Sequence, residues 1–264
     1  MLRLRWLLLS VLLFAAALPG VAALGLRVYE NALVRRTEAE VSAQAAALAA
    51  ATALLWPEAP PAVASPDAPI AESSRLDPYA AALTTGIDLS STVILPERPA
   101  AARPTVPPDP AALEAAQRIA PAIAETKAAT LASIVLLDRD GTMVSGQQIG
   151  FSLGKLPEVR AALAGGSQTV LRANASYDYG YLVGWLSRAT AIRLHHARAI
   201  TVGGEVVGVV LVSRSPSALF RGMWEDWGKI AVGVGVIFTL LVLIAALLAR
   251  TIVAPLERLS AATR

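Results

Sequence analysis

"SIVLLDRDGTMVSG", Ser133 to Gly146, is the stretch on which the fold turns. Two short runs of aliphatic and β-branched residues flank Asp-Arg-Asp-Gly. That pattern predicts a β-hairpin in which Gly141 takes a positive φ. A calcium loop starting at Asp138 and Asp140 fails, because its twelfth position is Ile149 where a bidentate Glu is needed. Working downstream, "LPEVRAALAGG", Leu156 to Gly166, predicts a short helix with Pro157 at its start and Gly165 and Gly166 at its end. "SQTVLR", "YGYLVGWLSR", "AIRLHHARAITV" and "EVVGVVLVSR" follow as strands, the last two joined through Gly203 and Gly204.

Upstream, residues 26–56 hold no Gly or Pro and are rich in Ala, Leu, Glu and Arg, which predicts a long helix. Val34, Val41, Leu48 and Leu55 recur every seven residues. This spacing suits either a helix–helix seam or a helix packed on its own domain. Residues 57–110 contain twelve of the 17 prolines. They read as a long excursion with a short helix or strand around "STVIL". Asp109 is then an N-cap and Pro110 the first position of a helix bent near Pro121. The order of elements predicts an α+β fold, an antiparallel sheet with helices on one side and a long N-terminal helix.

Both ends of the chain are apolar. Ile230 to Ala249 is twenty residues without a charge, the length expected of a membrane span. Trp6 to Leu26 is also long enough, so we expect residues 1–26 to be an uncleaved anchor, although "ALPGVAA" offers a small-residue site for cleavage of a signal peptide. Trp224 and Trp227 suit a membrane interface. Arg3, Arg5, Arg250, Arg258 and Arg264 flank the two apolar runs on the sides that would face the cytoplasm, leaving residues 27–229 outside it.

Composition excludes several functions. The 264-residue chain is 55% hydrophobic and has no cysteine, so no disulfide supports the domain, as suits a bacterial periplasm or a reducing compartment. The net charge of +3 is scattered and never interleaves with aromatics, which argues against a nucleic-acid partner. We find no phosphate loop, no HExxH, no Cys/His cluster and no G-x-S-x-G elbow. No catalytic residue, metal site or cofactor is therefore expected within this chain.

"VLLDRDGTMVSG", "LPEVRAALAGG" and "ARAITVGGEVVGVVLVSRSP", in that order and leading into an apolar helix, resemble the extracytoplasmic PAS-like sensor domains, called Cache or PDC domains, of bacterial transmembrane receptors. "RTIVAPLERLSAATR" resembles the first helix of a HAMP linker through Ile252, Pro255, Leu256 and Leu259. The resemblance implies the input half of a homodimeric two-component sensor histidine kinase. It implies a multi-pass inner-membrane location, with residues 230–249 as the second span and 250–264 as the start of the linker. ATP and Mg would be needed only by a kinase domain beyond Arg264, where a cytoplasmic response regulator would be the partner. The same input architecture also serves chemoreceptors and cyclic-dinucleotide enzymes, and a membrane-tethered binding protein is a third alternative.

A candidate ligand site follows from strand alternation. In "AIRLHHARAITV", His196 and Arg198 share a face with Ile192, Leu194 and Ile200, whereas Arg193 and His195 share the other with Ala191 and Ala197. Tyr179, Tyr181 and Trp185 share a face of the preceding strand, and Arg188 lies just beyond. A cationic pocket with aromatic walls would take a small carboxylate or another anion. Ordinary cross-strand packing and solvated arginines explain the same residues. The two histidines also permit pH sensing. Ser215 and Pro216 read as the N-cap and first position of a helix carrying the signal onward.

Overall fold

The computed structural model describes residues 2–57, 86–103, 106–174, 191–216 and 227–248. The chain divides into two compact units, Met1–Pro216 and Ser217–Arg264. In the first, helix α1 (Leu2–Leu54) precedes a two-residue strand β1 (Ile94–Leu95) and helix α2 (Pro110–Thr130). Strand β2 (Ser133–Asp138), helix α3 (Pro157–Leu163), and strands β3 (Ser167–Ala173), β4 (Ile192–Val202) and β5 (Glu205–Arg214) follow. The second unit contains α4 (Trp227–Leu248).

The five strands form one sheet in the order β1-β3-β4-β5-β2. Antiparallel pairing joins β2 to β5, β5 to β4 and β4 to β3. The edge strand β1 runs parallel to β3, so the sheet is mixed rather than purely antiparallel. Helices also cover both faces. One core packs α1 and α2 through Val41, Leu48, Ala115 and Ile119 against Ile134, Leu136, Val210 and Val212. The other packs α3 through Val159 and Ala162 against Val135, Leu137, Val209 and Leu211. The alternating β2 and β5 numbers place these cores on opposite faces. Such two-sided cover explains why β2 and β5 are continuous apolar runs.

Local chemistry sets the elements. Gly141 adopts φ +75°, and its N–H donates to the Asp138 carbonyl at 3.0 Å, closing the Asp-Arg-Asp-Gly turn. A Cβ there would lie 2.5 Å from the Gly154 Cα, so close backbone approach also requires glycine. Asp138 is fully buried; its carboxylate accepts the N–H groups of Asp140, Thr142 and Asp109. Asp109 in turn accepts from the Ala111 N–H, capping α2, which continues through Pro121 to Thr130. Val34, Val41 and Leu48 are buried within their own domain, whereas Leu55 is exposed, so the seven-residue spacing in α1 marks packing on the sheet.

Two expectations are corrected. Among the described residues, no helix is long and apolar enough to cross a membrane. From Leu24 onward α1 carries Arg27, Glu30, Arg35, Arg36, Glu38 and Glu40, and Val34, Val41 and Leu48 pack in the cores against the sheet. This overturns the two transmembrane helices of the expected fold and, with them, the expected multi-pass inner-membrane location.

At the β1 edge, Arg172 of β3 is 4% exposed and Glu158 of α3 is fully buried. The guanidinium grips the carboxylate with two bonds, Nε to Oε1 at 3.0 Å and Nη2 to Oε2 at 2.9 Å. Glu158→Gln removes the countercharge while keeping the shape, and should cost about 3–5 kcal/mol in urea unfolding. The double replacement Arg172→Met with Glu158→Leu should cost much less, because no charge is then left buried. A small loss for Glu158→Gln alone would contradict the pair's role.

Candidate functional site

The two adjacent histidines of β4 point to opposite faces, and each is 3% exposed. His196 faces α1. Its Nδ1 lies 2.8 Å from the Thr169 hydroxyl of β3, and its Nε2 is buried without a hydrogen-bond partner among the described residues. Burial, reinforced by the Arg198 charge, pushes its pKa down to about 4. Glu38 of α1 accepts from Thr169 and from the Ile87 N–H; burial raises its pKa, opposed by these bonds and by Arg35. The carboxylate, hydroxyl and imidazole form a buried polar contact between α1 and the sheet.

His195 faces the other way, into a cavity of about 230 Å³ lined by Glu97, Arg98, Ser133, Asn174, Arg193 and Ser213, with Ala173 beside them. Its position follows from register, since Ser133 pairs with Ser213, which pairs with His195. Arg98 arrives from the segment after β1, which is tethered by the Arg172 guanidinium donating to the Pro96 carbonyl at 3.3 Å. A neighbouring cavity of about 410 Å³ shares Arg98 and Ser133 and adds Lys127 of α2, Gln147 and Gln148.

The electrostatics of this cavity are one-sided. Burial, followed by the charges of Arg98, Arg172 and Arg193, drives the His195 pKa down to about 3, so the imidazole is neutral at pH 7. Its Nδ1 is buried and has no hydrogen-bond partner among the described residues. Glu158 is committed to Arg172, leaving Glu97 as the carboxylate in the lining. Such a cavity can hold a small anion by charge and by hydrogen bonds from guanidinium, amide, hydroxyl and imidazole groups. No group of three or more His, Cys, Asp or Glu that could hold a metal occurs among the described residues.

The expected ligand residues are not gathered in one place by the described structure. His196 and Arg198 lie on the face of β4 opposite His195, and Arg198 is half-buried. Tyr179, Tyr181, Trp185 and Arg188 fall outside the described residues, as do Ile252, Pro255, Leu256 and Leu259 of the expected signalling segment. Ser215 and Pro216 are described: Pro216 is buried and the Ser215 hydroxyl accepts from the Asn174 amide at 3.2 Å. Sequence reasoning missed Arg98, Ser133, Asn174 and Ser213. The polar residues that interrupt apolar strands at matched ends, Ser133 before "IVLL" and Ser213 after "VVLV", were the available signal.

No family model matches the chain, and no curated protein matches it. Among solved structures, the crystal structure of the sensor domain of the V. cholerae histidine kinase DctB is similar, with a TM-score of 0.31 and 17% identity. The likeness covers 42% of this chain and 44% of that one, under half the length of either.

Both histidines gain stability by staying neutral, and the sign follows from their depressed pKa values. Unfolded histidine takes a proton near about pH 6.5. The folded protein does so only near 4 at His196 and near 3 at His195. Their contribution is therefore complete above about pH 6.5 and is lost as pH falls toward 4 and 3. Glu38 acts oppositely, since its raised pKa favours the folded state as it protonates. The urea midpoint should fall between pH 7 and 4.5, and His195→Gln with His196→Gln should flatten that fall. An unchanged slope in the double variant would contradict the buried neutral state.

Proposed function

We propose that the Met1–Pro216 unit is the ligand-sensing input module of a two-component sensor histidine kinase, and that its ligand is a small anion held by Arg98, Arg193 and His195. The observation that carries this reading is the buried Nδ1 of His195, without a hydrogen-bond partner among the described residues, in a cavity lined by two guanidiniums. A neutral imidazole with its proton on Nδ1 donates to an anion without adding charge, while the arginines supply the attraction. One guanidinium about 4 Å from an anion contributes about 4 kcal/mol at the effective dielectric of a partly buried site. The resemblance of three ordered sequence runs to Cache or PDC sensor domains supports the assignment to signalling. ATP-dependent phosphotransfer and the response-regulator contact belong, in this reading, to a separate output domain.

The ligand class is testable by thermal unfolding of the 264-residue chain at pH 7 with acetate, malonate, inorganic phosphate or glucose at constant ionic strength. An anion that binds only the folded state adds about 2.7 kcal/mol at one hundred times its Kd. We expect at least one oxyanion to raise the melting temperature by several degrees, glucose to do nothing, and Arg98→Ala to abolish the rise. A flat response to every anion, or an undiminished response in Arg98→Ala, would overturn the assignment.

A further inference from the structure

The cavity wall is joined to the exit of the sheet by one side chain. Asn174 follows β3, is 8% exposed and lines the cavity. Its backbone N–H is fixed to the Ala191 carbonyl at 2.9 Å, while its side-chain amide reaches across the end of β4 and donates to the Ser215 hydroxyl at 3.2 Å. Ser215 and Pro216 are the last residues of the first compact unit. β5 ends at Arg214, and Pro216 has no N–H to continue the ladder, so the Asn174 bond holds Ser215 just beyond the paired strand.

Three consecutive residues at this exit face different partners. Ser213 lines the cavity, Arg214 donates to Glu40 of α1 at 2.8 Å, and Ser215 accepts from Asn174. The alternation of a strand puts Ser213 and Ser215 on the cavity face and Arg214 on the α1 face. The cavity's content and the position of the chain's exit thus share one amide donor.

We propose that Asn174 is a latch: an anion entering the cavity draws its side-chain amide away from Ser215 and so releases the end of β5. The latch rests on the anion reading above and names how that site is read out. The exchange is local, because the Asn174 backbone remains fixed to Ala191 while its side chain changes partner. Ser215 holds the amide in one orientation and the anion draws it into another, so removing the hydroxyl favours the anion. A residue serving only to shape the cavity would have the opposite effect, since its loss loosens the wall and weakens binding.

The test is calorimetric titration of malonate and of inorganic phosphate into the full chain and its Ser215→Ala and Ser215→Thr variants. One neutral hydrogen bond removed from competition predicts about a two- to tenfold lower Kd in Ser215→Ala. Ser215→Thr, which keeps the hydroxyl, should bind as wild type does. Hydrogen exchange of the Leu211–Ser215 amides should accelerate when the anion saturates the wild type, and should be fast without anion in Ser215→Ala. Unchanged or weaker binding in Ser215→Ala, with the anion still bound by wild type, overturns the latch alone. Failure of either anion to bind any of the three proteins overturns the latch and the anion reading together.

Discussion

The buried Arg172–Glu158 ion pair joins α3 to β3 beside the β1 edge of the sheet. Taking a guanidinium and a carboxylate out of water costs several kcal/mol per ion, and the interior tolerates it only when geometry and hydrogen bonding are nearly complete. Here Glu158 accepts two bonds, from Nε and Nη2, and the third guanidinium nitrogen, Nη1, donates to the Pro96 carbonyl. The pair therefore docks α3 on β3 and fixes the chain two residues before Arg98. Together with the β1–β3 pairing, it fixes the approach of Arg98 to the cavity.

Neighbouring histidines acquire different tasks from this arrangement because a strand has a period of two. His196 and Thr169 stitch the sheet to Glu38 on α1, a contact within the packed interior. His195 opens toward cationic side chains, and its Nδ1 has no hydrogen-bond partner among the described residues. Keeping a neutral imidazole beside three guanidiniums is electrostatically sound, whereas keeping a protonated one is not.

Much of the sheet was legible in the sequence. The Asp-Arg-Asp-Gly turn, the Asp109 cap, the Pro157 helix and the Gly203–Gly204 hairpin are local signals, and the structure realises each of them. The alternation of β4 also assigned His195 and His196 to opposite faces correctly. Selecting the face with the cavity required tertiary information, because Arg98 comes from the proline-rich excursion and Asn174 from the far end of β3. The parallel pairing of β1 was equally invisible, since two residues carry no periodicity. Length and hydropathy suggested membrane spans, but from Arg27 onward α1 carries charges and covers the sheet with Val34, Val41 and Leu48.

The direct measurement is the nitrogen-15 spectrum of the histidine side chains, in a chain that has only His195 and His196. At pH 7 both imidazoles should be neutral, and saturating malonate or phosphate should shift the His195 Nδ1 resonance while leaving His196 nearly unmoved. A charged His195 in the free protein, or an anion that shifts His196 and spares His195, would contradict the account of the cavity.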